Sequence, residues 1–428
     1  MMNIERARRR VLASGFAGST VEFYDFILYG TASAIVFNRL FFTNLDPVTG
    51  TIASFGTLAV GYLARPIGGV IFGHFGDRFG RKRALIVSLV MMGISSTLIG
   101  VLPTQPMVGA IAPILLIVLR IVQGLSMAGE WGGATIMAME HSDAKSRGRY
   151  SAIITAGAPL GSLLASGSLA LFAMLPGEQF ISWGWRVPFL LSAVLLVIAL
   201  WIRLRVDESP LFLQAKEREV ESKSKQRAPA VASLMQWKQL VVTMFAALGP
   251  QAHRTLMTAF LISAAFAGGM PRSTVLWISA ASGVLNLVLI APFGRLADVV
   301  GRKKLLYVTL AIALVTVWPT FEFASSGNFW LVLIAFVVAG LCGTAVLLPT
   351  VGTLIIEQFP TRNRYTGSAI GYQLAASLGG GLAPMIAAVL VTSSGEFLAL
   401  SIVTMFVLLV SAIAVWALRE MARKSIAD

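Results

Sequence analysis

Of 428 residues, 56% are hydrophobic and only 13% are charged, with a mean hydropathy of +0.79. A water-soluble fold gives about a quarter of its residues to charged types, so an ordinary cytosolic enzyme is excluded. The 40 glycines and 17 prolines show no Gly-X-Y period and stand among apolar residues, which excludes collagen-like and low-complexity chains and leaves a polytopic membrane protein.

A helix needs about 20 apolar residues to cross the hydrocarbon layer. Such stretches stand near 11–37, 51–74, 84–102, 110–139, 149–175 and 187–203, and again near 239–267, 274–294, 305–322, 328–356, 365–394 and 397–418. They are uninterrupted runs, unlike the ~10-residue alternating segments of a membrane barrel, so twelve transmembrane helices are expected. The basic start before the first run mimics a secretory signal. Glu22 and Asp25 interrupt that run, however, and no long polar domain follows it, so it reads as an uncleaved first helix.

Lys and Arg total 34 against 20 Asp and Glu, a formal net charge of +14. In a soluble chain this would point to nucleic acid; here the placement of the charge marks topology. One set of loops holds Arg6 and Arg8 to Arg10; Arg78, Arg81, Lys82 and Arg83; Lys145, Arg147 and Arg149; Arg302, Lys303 and Lys304; Arg362 and Arg364; and Arg419, Arg423 and Lys424. The alternate loops hold only Arg39, Arg186 and Arg272. Both termini are therefore expected in the cytoplasm, with the chain in the cell (plasma or inner) membrane and no nucleic-acid partner. The lone Cys342 lies in an apolar run and reads as a small buried hydrophobe.

From about Leu204 to Lys238 the composition turns polar, with charges from Lys216-Glu217-Arg218-Glu219 through Lys223, Lys225 and Arg227. This linker, 204–238, divides the spans six and six, into units 1–203 and 239–428. The halves are duplicates. Gly73-His74-Phe75-Gly76-Asp77-Arg78-Phe79-Gly80-Arg81-Lys82-Arg83 after the second span is echoed by Gly294-Arg295-Leu296-Ala297-Asp298-Val299-Val300-Gly301-Arg302-Lys303-Lys304 after the eighth. Glu140 and Arg149-Tyr150 are echoed, with a small gap, by Glu357 and Arg364-Tyr365. Parallel repeats of this kind are a common transporter architecture. Gly73 and Gly80 let the backbone turn tightly between helices. Asp77 beside Arg81, and Asp298 beside Arg302, are placed either for gating pairs made in one conformation and broken in another, or simply in turns that carry topology charge.

With these residues the chain resembles the major facilitator superfamily, whose loop between helices 2 and 3 is similar to Gly73 to Arg83. More narrowly it resembles the metabolite:proton symporter family. That likeness is carried by Val21-Glu22-Phe23-Tyr24-Asp25-Phe26-Ile27-Leu28-Tyr29-Gly30, Arg65-Pro66-Ile67-Gly68-Gly69, Gly129-Glu130-Trp131-Gly132-Gly133 and Trp183-Gly184-Trp185-Arg186-Val187-Pro188-Phe189. Shikimate-type permeases look most similar, through Glu178 to Trp185, whereas His253-Arg254 departs from them. The resemblance implies an all-α membrane protein of twelve transmembrane helices in two pseudo-symmetric six-helix halves. It also links Arg120 to proton coupling, since Arg120-Ile121-Val122-Gln123-Gly124 is similar to the superfamily's fourth-helix motif.

An ionisable side chain near the bilayer centre costs about 2.5–3.5 kcal/mol on insertion scales, so it needs a partner, a wet cavity or a function. Eight such residues stand in the spans: Glu22, Asp25, Arg65, Arg120, Glu130, His253, Arg254 and, nearer an end, Glu322. Mutual pairing of acids and arginines is feasible. Glu22 and Asp25 share a helical face with Tyr29, and two close carboxylates cannot both ionise cheaply, so one is expected to carry a proton. Asp25 is the stronger candidate; the alternative is an acid locked to an arginine. Arg120, beside Gln123, keeps its charge and either controls a neighbouring acid or forms a permanent pair. Glu130, grouped with the proton-coupling residues, and Trp131 lie toward the cytoplasmic half as gate or packing.

Arg65 precedes Pro66 at an expected kink, where a planar guanidinium suits bidentate carboxylate recognition. It either binds substrate or pairs with Asp25 or Glu22. Arg254 is a second substrate candidate, with His253, Tyr29, Tyr372 and Gln373 shaping a pocket; a satisfied buried His253 and plain helix packing are the other readings.

An anion and a proton sharing a cavity lined by Arg and Asp stabilise each other's binding. No Walker phosphate loop, metal-ligand cluster or nucleophile elbow stands in the sequence, so no enzyme activity, metal or cofactor is expected. The expected function is proton symport of a small organic acid anion, shikimate-like or another carboxylate, by a monomer in the lipid bilayer. Sodium coupling, uptake of a zwitterion such as betaine or proline, drug antiport and a non-transporting membrane sensor are the alternatives.

Overall fold

Lipid offers no hydrogen bonds, so a spanning backbone must satisfy its own, and no strand occurs among the described residues. The computed structural model describes residues 2–221, 229–383, 386–387 and 397–424. The first six spans are α1 (Met2–Ala32), α2 (Pro47–Phe79), α3 (Arg81–Val101), α4 (Ile111–Glu140), α5 (Arg147–Ala173) and α6 (Gly177–Leu204). The second six are α7 (Trp237–Ala267), α8 (Arg272–Val300), α9 (Arg302–Ser325), α10 (Phe329–Ile356), α11 (Arg364–Ala375, continued by a π-helical turn Ala376–Leu382) and α12 (Leu398–Ala417). Among the described residues, nine helices are long and apolar enough to cross a membrane, and α7 with the short helix before it makes a tenth. α1 has the length but carries Glu22 and Asp25 within it.

Positions 384–385 and 388–394 of the expected eleventh span lie outside the described residues, as do Lys223, Lys225 and Arg227 of the linker. The described parts of the linker hold two helices, Pro210–Glu221 and Pro229–Met235.

Two expected boundaries change. The helical pattern was expected to end at 74 and 294, but α2 runs to Phe79 and α8 to Val300, which puts Asp77 and Asp298 in final helical turns. The reversals fall on Gly80 (φ +114°) and Gly301 (φ +104°), in backbone conformations that favour glycine.

In the first half α1 packs on α5, α6 and α4, while α2 and α3 pack on α4. In the second, α7 packs on α12, α11 and α9. The halves meet chiefly where α2 lies on α11 and α5 on α8.

A π-helical turn, Leu341–Leu347, interrupts α10 and leaves a trace in the duplication. Before it, Gly124 of α4 backs onto Gly61 and Gly340 of α10 onto Ser282, equivalent contacts made by corresponding glycines. After it, the offset from Glu140 to Glu357 is larger by one than that from Gly124 to Gly340. The extra residue is what a π turn inserts.

Candidate functional site

The glycine, aspartate and arginine repeat becomes, in three dimensions, two chains of charge crossing between the halves at the basic end of the molecule. Asp77 accepts hydrogen bonds from the amides of Tyr365 (3.2 Å) and Thr366 (2.8 Å) and from the Thr366 hydroxyl (2.8 Å), at the start of α11. Asp298 accepts from the amides of Gly148 (2.8 Å) and Arg149 (2.9 Å), at the start of α5. Helix N-termini present free N–H groups and a positive dipole end, so each acid caps a helix of the opposite half.

Behind Asp77, Arg81 lies 3.1 Å from it and 3.5 Å from Glu140, which Arg364 approaches at 2.9 Å. Behind Asp298, Arg302 lies 3.2 Å from it and 3.0 Å from Glu357, which Arg147 approaches at 3.1 Å. All these side chains are buried. Gly73 allows the close crossing: a Cβ there would stand 2.5 Å from the Thr366 Cα. Gly80, at the turn, faces the Glu208 carboxylate.

Sequence reasoning missed that Glu208 and its counterpart Glu420. Glu208 takes the first amides of α3, from Arg81 (3.0 Å) and Lys82 (3.2 Å), and Glu420 takes the amide of Lys303 (2.8 Å). Each acid follows the last span of its half, and that recurrence was the available signal.

Glu130, expected among the proton-coupling residues, is held in a bidentate pair by Arg203 at 2.6 and 2.7 Å. The same guanidinium donates to the Ser14 hydroxyl (3.1 Å), the Ser14 carbonyl (3.0 Å) and the Leu85 carbonyl (3.1 Å). Every donor of Arg203 is spent on α1, α3 and α4. Gly18 provides the space, since any Cβ there would strike both partners. Arg203 read as the end of a span, and nothing in its local sequence names a partner two helices back in the chain.

The two acids of α1 part company. Asp25 accepts from Ser192 at 2.6 Å, with Ser96 and Arg120 beside it. Gln123 donates to Ser96 (2.6 Å) and accepts from Arg120 (3.3 Å), whose guanidinium stands 4.2 Å over the Tyr29 ring; the Tyr29 hydroxyl donates to Thr57 (2.6 Å). This network lies inside the first half. Glu22 instead has Arg65, Glu130 and Arg254 as its charged neighbours, and its Oε2 has no hydrogen-bond partner among the described residues. The expected mutual repulsion of Glu22 and Asp25 is thus replaced by separate surroundings. Residues three apart lie about 60° apart around a helix, on one face, and the neighbouring helices there supply each carboxyl with different partners.

The pairing of Arg65 with Asp25 or Glu22 does not occur as an ion pair within 4.0 Å among the described residues. Its guanidinium stands 4.3 Å over Tyr62 and 5.0 Å over Phe26, and reaches the Met127 sulfur at 3.3 Å. The Arg65 and Arg254 Nε atoms are unpartnered among the described residues, as is Oε1 of the buried Gln373. Tyr372 lies near Arg254, Glu22 and Arg65, and Gln251 reaches its hydroxyl. Glu322 is exposed and apart from this cluster.

The second half answers the first with different chemistry. Asn286 corresponds to Arg65 in the register that pairs Asp77 with Asp298. Gly161 backs onto the Thr20 carbonyl and Tyr24 amide, and Gly379 onto those of Leu248 and Ala252, so that Leu248 corresponds to Thr20 and Ala252 to Tyr24 at one common offset. The same offset puts His253 at the place of Asp25. His253 is buried, its Nδ1 unpartnered among the described residues, with Gly343 leaving it room.

Residues 12–244 match the family described as Sugar (and other) transporter, and residues 240–427 match the Major Facilitator Superfamily. A relative at 40% identity, the Shikimate transporter of Escherichia coli (strain K12), aligns over 91% of this chain and 89% of its own. The chain belongs to the major facilitator superfamily. The Inner membrane metabolite transport protein YhjE of the same organism is 39% identical with the same coverage, and the E. coli Proline/betaine transporter is 29% identical over 97% of this chain and 84% of that one. Among solved structures, the proton:xylose symporter XylE bound to 6-bromo-6-deoxy-D-glucose aligns with a TM-score of 0.76 at 17% identity, over 99% of this chain and 98% of that one. This facilitator is therefore a multi-pass membrane transporter and not an enzyme, with the twelve-helix, two-half architecture its motifs implied.

Proposed function

We propose that the protein imports a small organic acid anion, shikimate-like or another carboxylate metabolite, together with protons, by alternating access of its two halves. One observation carries the reading: Arg65 from α2 and Arg254 from α7, contributed by opposite halves, share Glu22 as a neighbour, while Asp25 lies buried on α1 with the buried Arg120 of α4 as its neighbour. A carboxylate engaging both guanidinium groups links the halves while it is bound. Arg120 cannot discharge, so a proton gained or lost at Asp25 alters the field around the cluster and couples the two ligands.

With the basic loops in the cytoplasm, as their charge favours, the Asp77 and Asp298 crossings close the cytoplasmic side of an inner-membrane protein. Units 1–203 and 239–428 then rock about the linker 204–238, with Gly73 and Gly80 beside the crossing that parts.

The test is uptake into proteoliposomes under an imposed pH gradient, against a panel of hydroxylated and plain carboxylates, betaine and proline. Accumulation of a carboxylate that vanishes with a protonophore supports the reading. Accumulation driven by sodium overturns proton coupling, selective betaine or proline uptake replaces the substrate class, and binding without accumulation marks a sensor.

A further inference from the structure

Tyr365 and Tyr372 stand about two turns apart on α11, and both reach across to α4 of the other half. The Tyr365 ring sits where Gly76 of α2 and Gly132 and Gly133 of α4 leave space. A Cβ on Gly76 or Gly133 would collide with the tyrosine, and one on Gly132 would lie 3.0 Å from the ring. The Tyr365 hydroxyl donates to the Gly129 carbonyl. Farther along α11, Tyr372 lies flat on Trp131, with ring centroids 3.4 Å apart and planes 7° apart. Gly352 of α10 backs the indole: a Cβ there would lie 3.0 Å from it.

The Gly129-Glu130-Trp131-Gly132-Gly133 motif is accounted for residue by residue. Gly129 supplies an acceptor, Gly132 and Gly133 the socket, Trp131 the stacking face, and Glu130 is clamped by Arg203, which anchors the backbone beside the indole.

The charge chains at the basic end are built twice; this contact is built once. The expected echo of Arg149-Tyr150 by Arg364-Tyr365 is corrected by the capping contacts: Asp77 takes the amides of Tyr365 and Thr366 where Asp298 takes those of Gly148 and Arg149, so in the register that pairs Glu140 with Glu357 the counterparts are Gly148 for Tyr365, Thr155 for Tyr372 and Leu348 for Trp131. At that second crossing Gly148 packs directly on the Gly294 carbonyl, with 2.7 Å between a Cβ and that oxygen, and leaves no room for a ring. The stack lies two and a half turns before Glu140, about 14 Å along α4 at about 1.5 Å per residue. Tyr372 also has Arg254, Glu22 and Arg65 as its charged neighbours. The rings thus stand between the charged cluster and the ion chains.

We propose that Tyr365 in its glycine socket and Tyr372 on Trp131 form a one-sided aromatic latch, which separates the Glu22, Arg65 and Arg254 cluster from the basic end and must unstack before the cluster opens there. Trp131 is the positioning residue through which events at the cluster reach the ion chains. The inference rests on the alternating-access reading.

The test uses purified full-length protein with Cys342→Ala and a reporter Thr135→Cys, one turn beyond Trp131 toward the basic end and 2% exposed here, labelled with a water-soluble maleimide. Trp131→Ala, and separately Gly133→Ala, is expected to speed labelling by about threefold to tenfold, whereas Trp131→Phe, which keeps a stacking ring, stays near the parent rate. If Trp131→Ala does not fold, Gly133→Ala against Trp131→Phe still decides. Folded variants that all label at the parent rate overturn the latch. Failure of the parent protein to accumulate any solute in proteoliposomes overturns the transporter reading instead, so the two failures are distinguishable.

Discussion

Asp77 and Asp298, equivalent positions of the duplicated motif, each close onto the opening amides of a helix in the opposite half, so that neither half completes its own helix ends alone. Asp77→Asn keeps one acceptor oxygen but removes the charge that faces the α11 dipole and Arg81. Charged hydrogen bonds contribute about 1.5–3 kcal/mol, so uptake is expected to fall by about tenfold or more. Asp298→Asn is expected to match it. A loss at one position only, in paired uptake assays, refutes the equivalence of the two crossings.

Asp25 touches Ser192 and the surroundings of Arg120, inside one half. Asp25→Asn fixes the neutral form. Uphill accumulation driven by a pH gradient is expected to disappear while exchange of bound substrate across the membrane persists. Undiminished uphill uptake removes Asp25 from the proton path.

Arg65 rests on two aromatic faces and leaves its Nε unpartnered among the described residues. A lysine keeps the charge but loses the planar fork and the stacking. Arg65→Lys is expected to weaken anion affinity at least tenfold by calorimetry or uptake competition, the size of a lost bidentate contact, about 1.5–3 kcal/mol. Unchanged affinity transfers the role to Arg254.

Arg203 and Glu130 satisfy each other in a buried bidentate pair. Removing one partner strands the other charge, so Arg203→Ala is expected to cost about 3–5 kcal/mol and to lower the melting temperature sharply. Replacing both, as in Glu130→Leu with Arg203→Met, is expected to recover much of that loss. A stable Glu130→Gln protein with normal binding and no uphill uptake would place Glu130 in the proton-coupling group.

How far the site was legible follows the kind of signal each residue carries. Asp77, Arg81, Asp298 and Arg302 stood out because duplication repeats them in register, and repetition survives in one dimension. Glu22, Asp25, Arg65, Arg120 and Arg254 stood out because lipid penalises charge. Arg203 carried neither signal: it lies at a helix end, where arginine is ordinary, and its partner sits on another helix. Trp131 and Tyr372 were open to gate, pocket or packing readings, since aromatic residues are common in any span.

By itself the sequence determined the membrane class, the spans and the doubled charge motif, because hydropathy and net charge are sums over neighbours in the chain. Only the tertiary structure decided which acid meets which arginine, that Glu22 and Asp25 have different neighbours, and that α11 lays two tyrosines on α4 at one crossing and none at the other. Those outcomes depend on the rotation and crossing of packed helices, and a side chain's partner is chosen by direction as much as by chemistry.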